Sequence, residues 1–472
     1  MISMAGEAAS AGNNYFDGMT KLGKAHKHFL WIAAVCYFFD QMDMQLFGYI
    51  TPSLISDLGF SLEQISQMNS LNFLGMCLGG FFGGMIAGRI GRKKTLLLLV
   101  GLFSGASIIN GLSAHYLNFM IMRFLIGFGV IGMVTVAMVY MAEMLPSATR
   151  GKYQALSIAC GTLGIPFGAL FANVVIKMGE HGWRLCFFIG GIGILLVPIG
   201  LKWLKESPRW LVMQGQIAKA EQVVSECTGQ PCDLSVLAAS CVQEKAPSTL
   251  KTLKVMFSKS FIKQTIVVFV LSWGATLGVF YFSSYGVLFM TDLGWAYGTV
   301  LLISAFGVVG TPLGDLTVSL FSDKGGRRIP IIIMSCIAGI FCLIRGWATP
   351  ALGDLYNASG NIIYPAILAV IGILFSAFGG GTMTLMWTYL AESFPTRIRS
   401  NATGIVFASA RFIAVPVTLT IPATYAAIGY IGINVINALW YFIPAAFALL
   451  WGINSAQKSL EELEIEAEKM TC

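Results

Sequence analysis

The sequence predicts an all-α membrane protein with twelve transmembrane helices in two pseudo-symmetric six-helix bundles. Apolar residues make up 56% of the chain and charged residues only 11%, with a mean hydropathy of +0.74, whereas a soluble domain carries roughly 25% charged residues. Long apolar stretches recur along the chain, and each can cross a hydrocarbon core of about 30 Å as one helix. The predicted helices lie at 29–52, 66–87, 95–113, 117–142, 153–176, 184–204, 264–290, 296–321, 329–348, 362–389, 402–424 and 431–452.

Two short charged motifs occur twice, which indicates that the chain consists of two related halves. The first motif stands at 88–93 (Gly-Arg-Ile-Gly-Arg-Lys) and at 323–328 (Asp-Lys-Gly-Gly-Arg-Arg), and the second stands at 143–150 and 392–399. The copies are separated by 235 and 249 residues, about half of the 472-residue chain. Internal repeats of this length among apolar helices are typical of secondary transporters.

The charged residues of these motifs are predicted to form a gate on the cytoplasmic side. Acidic and basic side chains at neighbouring helix ends can pair. Such pairs would hold the two halves together while a central cavity faces outward, and would separate when it opens inward. The predicted gate residues are Arg89, Arg92, Glu143, Arg150, Asp323, Arg327, Glu392 and Arg399.

The distribution of Lys and Arg predicts the orientation of the chain in the membrane. The N-terminal tail and the loops after the second, fourth, eighth and tenth helices carry many of these residues, whereas the alternate loops carry almost none. Since Lys and Arg are enriched in cytoplasmic loops, we expect both termini in the cytoplasm and the protein in the plasma membrane (the inner membrane of the cell). The predicted order is a tail at 1–28, a bundle at 29–204, a cytoplasmic linker at 205–263, a second bundle at 264–452 and a tail at 453–472.

Charge and cysteine usage exclude several classes of protein. The net charge of +7 follows from the loop bias, so nucleic acid is not an expected partner. The ten cysteines are scattered without a Cys-x-x-Cys pair, and no nucleophile–base or metal-ligand cluster is evident. The sequence therefore predicts no enzyme, no cofactor and no metal site. The expected partners are the lipid bilayer, protons and a small-molecule substrate, bound by a monomer.

Two carboxylates in the first helix are candidates for binding a coupling proton. An ionised side chain at bilayer depth costs at least about 2.5–3.5 kcal/mol on insertion scales. Asp40 and Asp43 are three residues apart, so they share a helix face with Cβ atoms about 5–6 Å apart, and in a low dielectric we do not expect both to be ionised. All four histidines lie in tails or outer loops, which leaves carboxylates to carry the proton. The alternative is that one Asp caps a break in the helix or pairs with an Arg.

Arg123 in the fourth helix is the predicted partner of Asp43. With a helix rise of about 1.5 Å per residue, the expected depths of Asp43 and Arg123 in the membrane agree within one helical turn. The simplest arrangement is a pair that opens when Asp43 takes a proton. A static pair that only holds the two helices together is the alternative.

Arg411 in the eleventh helix is the predicted binding residue for an anionic substrate. No acidic residue of the second half is expected at its depth, and a planar guanidinium matches a carboxylate. The alternative is that Arg411 pairs with Asp40 across the cavity. A flat ligand could also stack on aromatic side chains, for which the candidates are Trp273, Tyr281, Tyr285, Trp387 and Trp440.

Several motifs resemble those of the major facilitator superfamily over nearly the whole chain. They are the stretch at 123–132, which begins Arg-Phe-Leu-Ile-Gly, the Trp-Arg pair at 183–184, and Glu-Ser-Pro-Arg-Trp-Leu at 206–211. These motifs are similar to those of the sugar-porter and metabolite-porter branches. The resemblance implies the major facilitator fold and transport by alternating access.

The first helix resembles that of proton-coupled aromatic-acid symporters, and nicotinate-type carriers look similar here. Asp40, Asp43, Gly48 and Pro52 match the pattern D-x-x-D-x-x-x-x-G-x-x-x-P. Gln41 stands where the aromatic-acid family usually has a glycine.

Porters of this kind similarly place an Arg in the fourth and eleventh helices, where this chain has Arg123 and Arg411. The seventh helix lacks the Gln-Gln-x-Ser-Gly-x-Asn element of sugar porters. The expected function is therefore proton-coupled symport that imports a small organic anion, an aromatic or heteroaromatic carboxylate. The alternatives are a sugar or polyol proton symporter, a drug or metabolite antiporter, and a transporter-like sensor without flux.

Overall fold

The computed structural model describes residues 16, 22–179, 181–229, 234, 249–259, 261–321, 327–394 and 396–452. Side chains are described over the same ranges except at 147–151, 155, 282–283, 319–321, 391, 396–397 and 400. All regular secondary structure in these ranges is helical.

Twelve transmembrane spans run through the described residues, which confirms the predicted fold. Ten helical segments are long and apolar enough to cross a membrane. Lys24–Leu58 adds another span, and Asn401–Trp451 contains two because Gly429 has a non-helical φ of 65° and ψ of −169°. In order, spans 1–12 are Lys24–Leu58, Leu62–Ile90, Arg92–Leu112, Tyr116–Met144, Ser147–Thr162 with Gly164–Ile176, Gly182–Gly191 with Leu196–Trp203, Ile262–Ser283 with Gly286–Asp292, Tyr297–Gly307 with Gly310–Phe321, Arg328–Ser359, Ile363–Glu392, and the two parts of Thr396–Trp451 before and after Gly429.

An even number of spans places the start of span 1 and the end of span 12 on one side of the bundle, called here the termini side. The opposite side is called the far side. Spans 1–6 form the first half and spans 7–12 form the second half. A linker on the termini side joins the halves, and its described helices are Pro208–Met213, Ile217–Thr228 and Thr249–Met256.

Each half contains a pair of spans that glycine brings into backbone contact. In the first half, a Cβ on Gly75 would lie 2.1 Å from the carbonyl oxygen of Phe124, so span 2 can approach span 4 this closely only without a side chain there. In the second half, a Cβ on Gly310 would lie 1.9 Å from the carbonyl oxygen of Ile373, which joins spans 8 and 10 in the same way. Small residues at helix contacts are the usual means of close packing in membranes. The two halves therefore share a packing device as well as sequence motifs.

Glu206 anchors the linker to the first half. Its Oε1 accepts hydrogen bonds from the backbone N–H groups of Arg92 at 2.7 Å and Lys93 at 3.1 Å. These are the first residues of span 3, where the N–H groups of a helix have no partner within the helix. Trp210 Nε1 also donates to the carbonyl oxygen of Gly88 at 2.8 Å. The motif at 206–211 thus ties the linker to the ends of spans 2 and 3.

Side-chain hydrogen bonds join the two halves on the far side. The Tyr297 hydroxyl donates to the carbonyl oxygen of Tyr49 at 2.5 Å and accepts from the Ser53 hydroxyl at 3.3 Å. Asn173 Nδ2 donates to the carbonyl oxygen of Gly298 at 2.9 Å. These bonds connect spans 1 and 5 of the first half with the start of span 8, so the halves are in contact at this end.

A second seam between the halves runs along spans 2 and 11. Pro422 lies inside span 11 and has no N–H group, so the carbonyl oxygen of Thr418 one turn earlier has no helical partner. Ser66 Oγ donates to that oxygen at 2.6 Å. One turn further along, Ser70 Oγ donates to the carbonyl oxygen of Val415 at 3.0 Å. The first half therefore supplies the hydrogen bond that proline removes from the second.

We expect Ser66→Ala to lower the free energy of unfolding by about 1–3 kcal/mol, because a buried carbonyl loses its donor. Thermal unfolding of the detergent-solubilised protein measures the change. Ser56→Ala is the matched control, since Ser56 is an exposed hydroxyl at the far-side end of span 1. An S66A variant with the melting temperature of the wild type would show that span 11 does not depend on this bond.

Candidate functional site

A cavity of about 260 Å³ lies between the two halves. Residues of nine spans line it, and most of the wall is apolar. Three of the predicted ionisable and aromatic site residues, Asp40, Trp387 and Arg411, are among them. Asp40 and Gln41 face it from span 1, and Arg411 faces it from span 11 on the other half. Substrate sites of transporters built from repeats typically lie at such an interface, near the middle of the membrane.

Asp40 contributes a buried carboxylate to the cavity wall. Its side chain is 3% exposed, and Oδ2 accepts a hydrogen bond from Gln41 Nε2 at 2.7 Å. The other oxygen, Oδ1, has no hydrogen-bond partner among the described residues. One side of this carboxyl group is thus available to a proton or to a ligand.

Arg411 contributes a buried cation to the opposite wall. The residue is 9% exposed, and its Nη1 has no hydrogen-bond partner among the described residues. Its charge interacts with that of Asp40 across the cavity, yet no ion pair within 4 Å of Arg411 is present in the described part of the chain. Both alternatives stated for Arg411, an anionic ligand and Asp40, remain compatible with this placement.

Asp43 and Arg123 form an ion pair behind the cavity wall. Arg123 Nη1 lies 3.5 Å from Asp43 Oδ2, and the two side chains are 2% and 8% exposed. The guanidinium carbon also lies 4.3 Å from the centre of the Phe47 ring. All three residues belong to the first half. The structure therefore places the two span 1 carboxylates differently, since Asp40 faces the cavity and Asp43 faces span 4.

Of the five aromatic candidates, the structure places one in the cavity wall and the other four in packing contacts between helices. Trp387 lines the cavity, with its Nε1 unpaired among the described residues. Tyr281 and Tyr285 instead pack in the core, and Trp273 Nε1 donates to Ser409 Oγ at 3.0 Å. Trp440 packs in a small cluster between spans. Helix periodicity shows which aromatics share a face, but the neighbouring helices decide whether that face meets the cavity.

Arg345 is a cavity residue that the sequence analysis missed. It lies in span 9, is 8% exposed and lines the cavity with Thr349. The predicted helix ended at residue 348, which placed Arg345 near the membrane surface. Span 9 continues to Ser359, so the residue lies in the middle of that span. The sequence does indicate the longer helix, because no charged residue follows Arg345 until Asp354.

Asp315 of span 8 is a second carboxylate in the cavity wall. Thr384 of span 10 donates a hydrogen bond to its Oδ1. Asp315 lies closer to the termini side than Asp40 or Arg411, because it is six residues from the end of Gly310–Phe321.

The charged loop motifs form ion pairs within each half in this conformation. The predicted gate, which would bridge the halves while the cavity faces outward, stays a prediction. Arg92 binds Glu143 with two hydrogen bonds of 2.8 and 2.9 Å, and Ser207 Oγ donates to the same carboxylate at 2.6 Å. Arg327 and Glu392 form the corresponding pair of the second half at 2.9 Å. Both pairs fasten helix ends of one half to each other.

The remaining gate residues contribute no described bridge between the halves. Arg89 is exposed at the end of span 2, and Arg399 Nε donates to the carbonyl oxygen of Phe394 in its own half at 3.4 Å. Asp323 and the side chain of Arg150 lie outside the described residues.

Comparisons with known proteins identify the family. The model of the family "Sugar (and other) transporter" matches residues 23–467. A putative metabolite transport protein, YyaJ of Bacillus subtilis, is 28% identical over 442 residues, which cover 93% of this chain and 95% of the relative. The niacin transporter NiaP of Acinetobacter baylyi is 24% identical over 451 residues, which cover 94% of this chain and 97% of the relative.

A solved structure shows the same fold. The crystal structure of a D-xylose-proton symporter superimposes with a TM-score of 0.71 at 21% identity, covering 92% of this chain and 99% of that one. The chain therefore belongs to the sugar (and other) transporter family of the major facilitator superfamily, and it is a multi-pass membrane transporter, not an enzyme.

Proposed function

We propose that this transporter is a proton-coupled symporter that imports a small organic anion, with an aromatic or heteroaromatic carboxylate as its substrate. The observation that carries the proposal is Arg411, a buried guanidinium that faces the cavity with Nη1 unpaired among the described residues. A buried cation is costly without an opposite charge. A carboxylate supplies that charge and accepts two parallel N–H bonds from one guanidinium.

The size and walls of the cavity support a small, flat substrate. Its volume of about 260 Å³ lies just below the range of roughly 300–1,000 Å³ typical of drug-sized ligands. Trp387 and Phe375 contribute ring faces or edges on which an aromatic acid can pack. The niacin transporter among the relatives supports the same substrate class.

Asp40 links proton binding to anion binding in this proposal. When Asp40 is ionised, its charge compensates Arg411 across the cavity. When Asp40 takes a proton, Arg411 loses that compensation and binds the substrate carboxylate more strongly. By linkage, the bound anion favours protonation of Asp40 to the same extent. Proton and substrate would therefore load together.

The Asp43–Arg123 pair gives the first half its own response to protons. Neutralising Asp43 would leave Arg123 without the carboxylate that lies 3.5 Å away. Span 1 and span 4 would then repack around an uncompensated guanidinium. We assign to this pair the step that converts proton binding into movement of span 1.

Import follows in this proposal from an inward proton gradient across the plasma membrane. The loops on the termini side carry most of the Lys and Arg, which supports a cytoplasmic location for that side and for both termini. The bonds of Tyr297 and Asn173 then lie on the outer side and close the cavity toward the outside. A monomer suffices, because the cavity is built from one chain.

A sugar or polyol symporter is the second candidate. Gln41, Gln45, Tyr37 and Tyr49 line the cavity with neutral hydrogen-bonding groups that suit hydroxyls. The name of the matched family also includes sugars. The dependence of binding on Arg411 separates the two candidates.

Asp43→Asn should abolish accumulation of substrate driven by a pH gradient, because Asn cannot take up and release a proton. Exchange of labelled for unlabelled nicotinate should persist, since this counterflow needs no net proton movement. Uptake into proteoliposomes with an imposed pH gradient measures both. Asp57→Asn, at the exposed far-side end of the same helix, is the matched control and should behave as wild type. Gradient-driven accumulation by D43N would refute the coupling role of Asp43.

Asp40→Asn should make nicotinate binding independent of pH over the range in which nicotinate itself stays ionised. In the wild type, affinity should increase as pH falls, because protonation of Asp40 removes the carboxylate that competes for Arg411. Titration calorimetry at several pH values gives both curves. Equal slopes for wild type and variant would mean that the relevant proton binds elsewhere.

Arg411→Ala should weaken nicotinate binding by roughly 30-fold to several thousand-fold, because removing one partner of a desolvated charge pair costs about 2–5 kcal/mol. Arg411→Lys should weaken it less, since Lys keeps the charge but not the planar fork. Nicotinamide, the uncharged analogue, should bind the wild type poorly and lose little more in R411A. Normal acid binding by R411A, or a best ligand that is an uncharged sugar, would favour the sugar symporter instead.

A further inference from the structure

The helix Thr249–Met256 lies across the termini-side end of the second half. Asn401 Nδ2 donates to Thr252 Oγ1 at 3.4 Å, which joins the helix to the beginning of span 11. Thr265 Oγ1 donates to the carbonyl oxygen of Met256 at 2.7 Å, which joins the last residue of the helix to the first turn of span 7. Both contacts are made where a span begins. The helix therefore lies at the level where the bundle meets the surface of the membrane.

The face of this helix that points away from the bundle carries two exposed apolar side chains. Leu250 is 66% exposed, and Phe257, which directly follows the helix, is 54% exposed. The N–H group of Phe257 still donates to the carbonyl oxygen of Leu253 at 2.9 Å, so the helical spacing continues to this residue. Leu250, Lys254 and Phe257 are four and three residues apart and share a face. Neither Leu250 nor Phe257 lines the cavity.

Phe257 lies beside span 7 and not in the water beyond it. The centre of its ring is 6.2 Å from that of Phe269. Phe269 is seven residues from the start of span 7 at Ile262, which is about 10 Å along the helix at 1.5 Å per residue. The side chain of Phe257 thus reaches from the end of the bundle toward the apolar part of the membrane.

The same segment is strongly basic. Residues 249–263 contain Lys251, Lys254, Lys259 and Lys263 and no Asp or Glu. Lys254 and Lys259 are exposed, and neither takes part in an ion pair within the described part of the chain. Apolar side chains combined with Lys on a helix at the membrane surface are typical of helices that lie in the lipid headgroup layer.

We infer that the segment 249–263 binds the anionic headgroups of phospholipids in the leaflet on the termini side. Leu250 and Phe257 enter the boundary between headgroups and acyl chains, and Lys254 and Lys259 contact the lipid phosphates above them. Charge selects this partner, because Lys residues next to a transmembrane helix attract anionic lipids. The bonds of Thr252 and Met256 connect the bound lipid to spans 11 and 7. The inference is independent of the transported substrate, since no described residue of this segment lines the cavity.

Hydrogen exchange of the purified full-length protein tests the inference, with one molecule in each lipid nanodisc. Discs of phosphatidylcholine alone are compared with discs that also contain phosphatidylglycerol. The amides of 250–257 should exchange roughly fivefold or more slowly in the anionic discs, because one Lys near an anionic surface contributes a factor of about five. An ionic strength of about 1 M, where the screening length is about 3 Å, should reduce this difference.

The linker helix Ile217–Thr228 lies on the same side of the bundle and is the internal control, which should exchange equally in both discs. Equal exchange of 250–257 in the two kinds of disc would overturn the inference. Slow exchange in both would mean that neutral lipid or another part of the chain covers the helix, and fast exchange in both would mean that nothing covers it.

Two variants locate the effect. The double substitution Lys254→Gln and Lys259→Gln should remove the difference between the discs. Lys219→Gln, at an exposed position of the linker helix, is the matched control and should leave that difference unchanged. A double variant that folds and keeps the full difference would refute the role of the two lysines in binding anionic lipid. If the double variant does not fold, the comparison of the two discs with the wild type decides.

Discussion

Every ionisable side chain at bilayer depth in this protein needs a compensating charge or a polar surrounding, and this need organises the spans. An ionised side chain cannot face the hydrocarbon at low cost, so the charges of the spans turn toward one another or toward the cavity. Asp43 and Arg123 meet inside the first half at 3.5 Å. Asp40 and Arg411 face each other across the boundary between the halves. Asp43 and Arg123 belong to the same half, so they stay together when that half moves. Asp40 and Arg411 belong to different halves, so their separation changes whenever the halves move relative to each other. That difference gives the two carboxylates of span 1 distinct roles in the proposed cycle.

The halves are built to move as units. Glycines such as Gly75 and Gly310 allow backbones of one half to touch, and the Arg92–Glu143 and Arg327–Glu392 pairs fasten helix ends within each half on the termini side. Contacts between the halves include single hydrogen bonds to backbone carbonyls, as from Tyr297 and Asn173. Bonds of this kind would have to break for the halves to separate on the far side. Alternating access needs halves that stay rigid while the contacts between them change.

Substrate chemistry in this fold is set by a few side chains. The same helices superimpose on a xylose–proton symporter, and a niacin transporter is a relative over nearly the whole chain. The cavity of this chain presents the Arg411 guanidinium with Asp40 opposite. A sugar has no charge to meet that cation, and this is the physical reason for proposing an acid as the substrate.

Much of this architecture could be predicted from the sequence by itself. Hydropathy determined the twelve spans, because each must satisfy its backbone within a helix across the membrane. The repeated motifs determined the two halves, and the rarity of charge in the spans singled out Asp40, Asp43, Arg123 and Arg411. Each of these constraints acts on a single helix, so it can be recognised in a local stretch of the sequence.

The tertiary structure alone decided which faces meet the cavity. Trp387 faces it, while Tyr281, Tyr285, Trp273 and Trp440 pack elsewhere. The burial of a face depends on the neighbouring helix, which the periodicity of one helix does not encode. The length of span 9 beyond residue 348 puts Arg345 in the middle of that span, and Arg92 and Arg327 form ion pairs with glutamates of their own halves. These outcomes depend on how helices far apart in the chain pack together, and for that reason composition and spacing could not determine them.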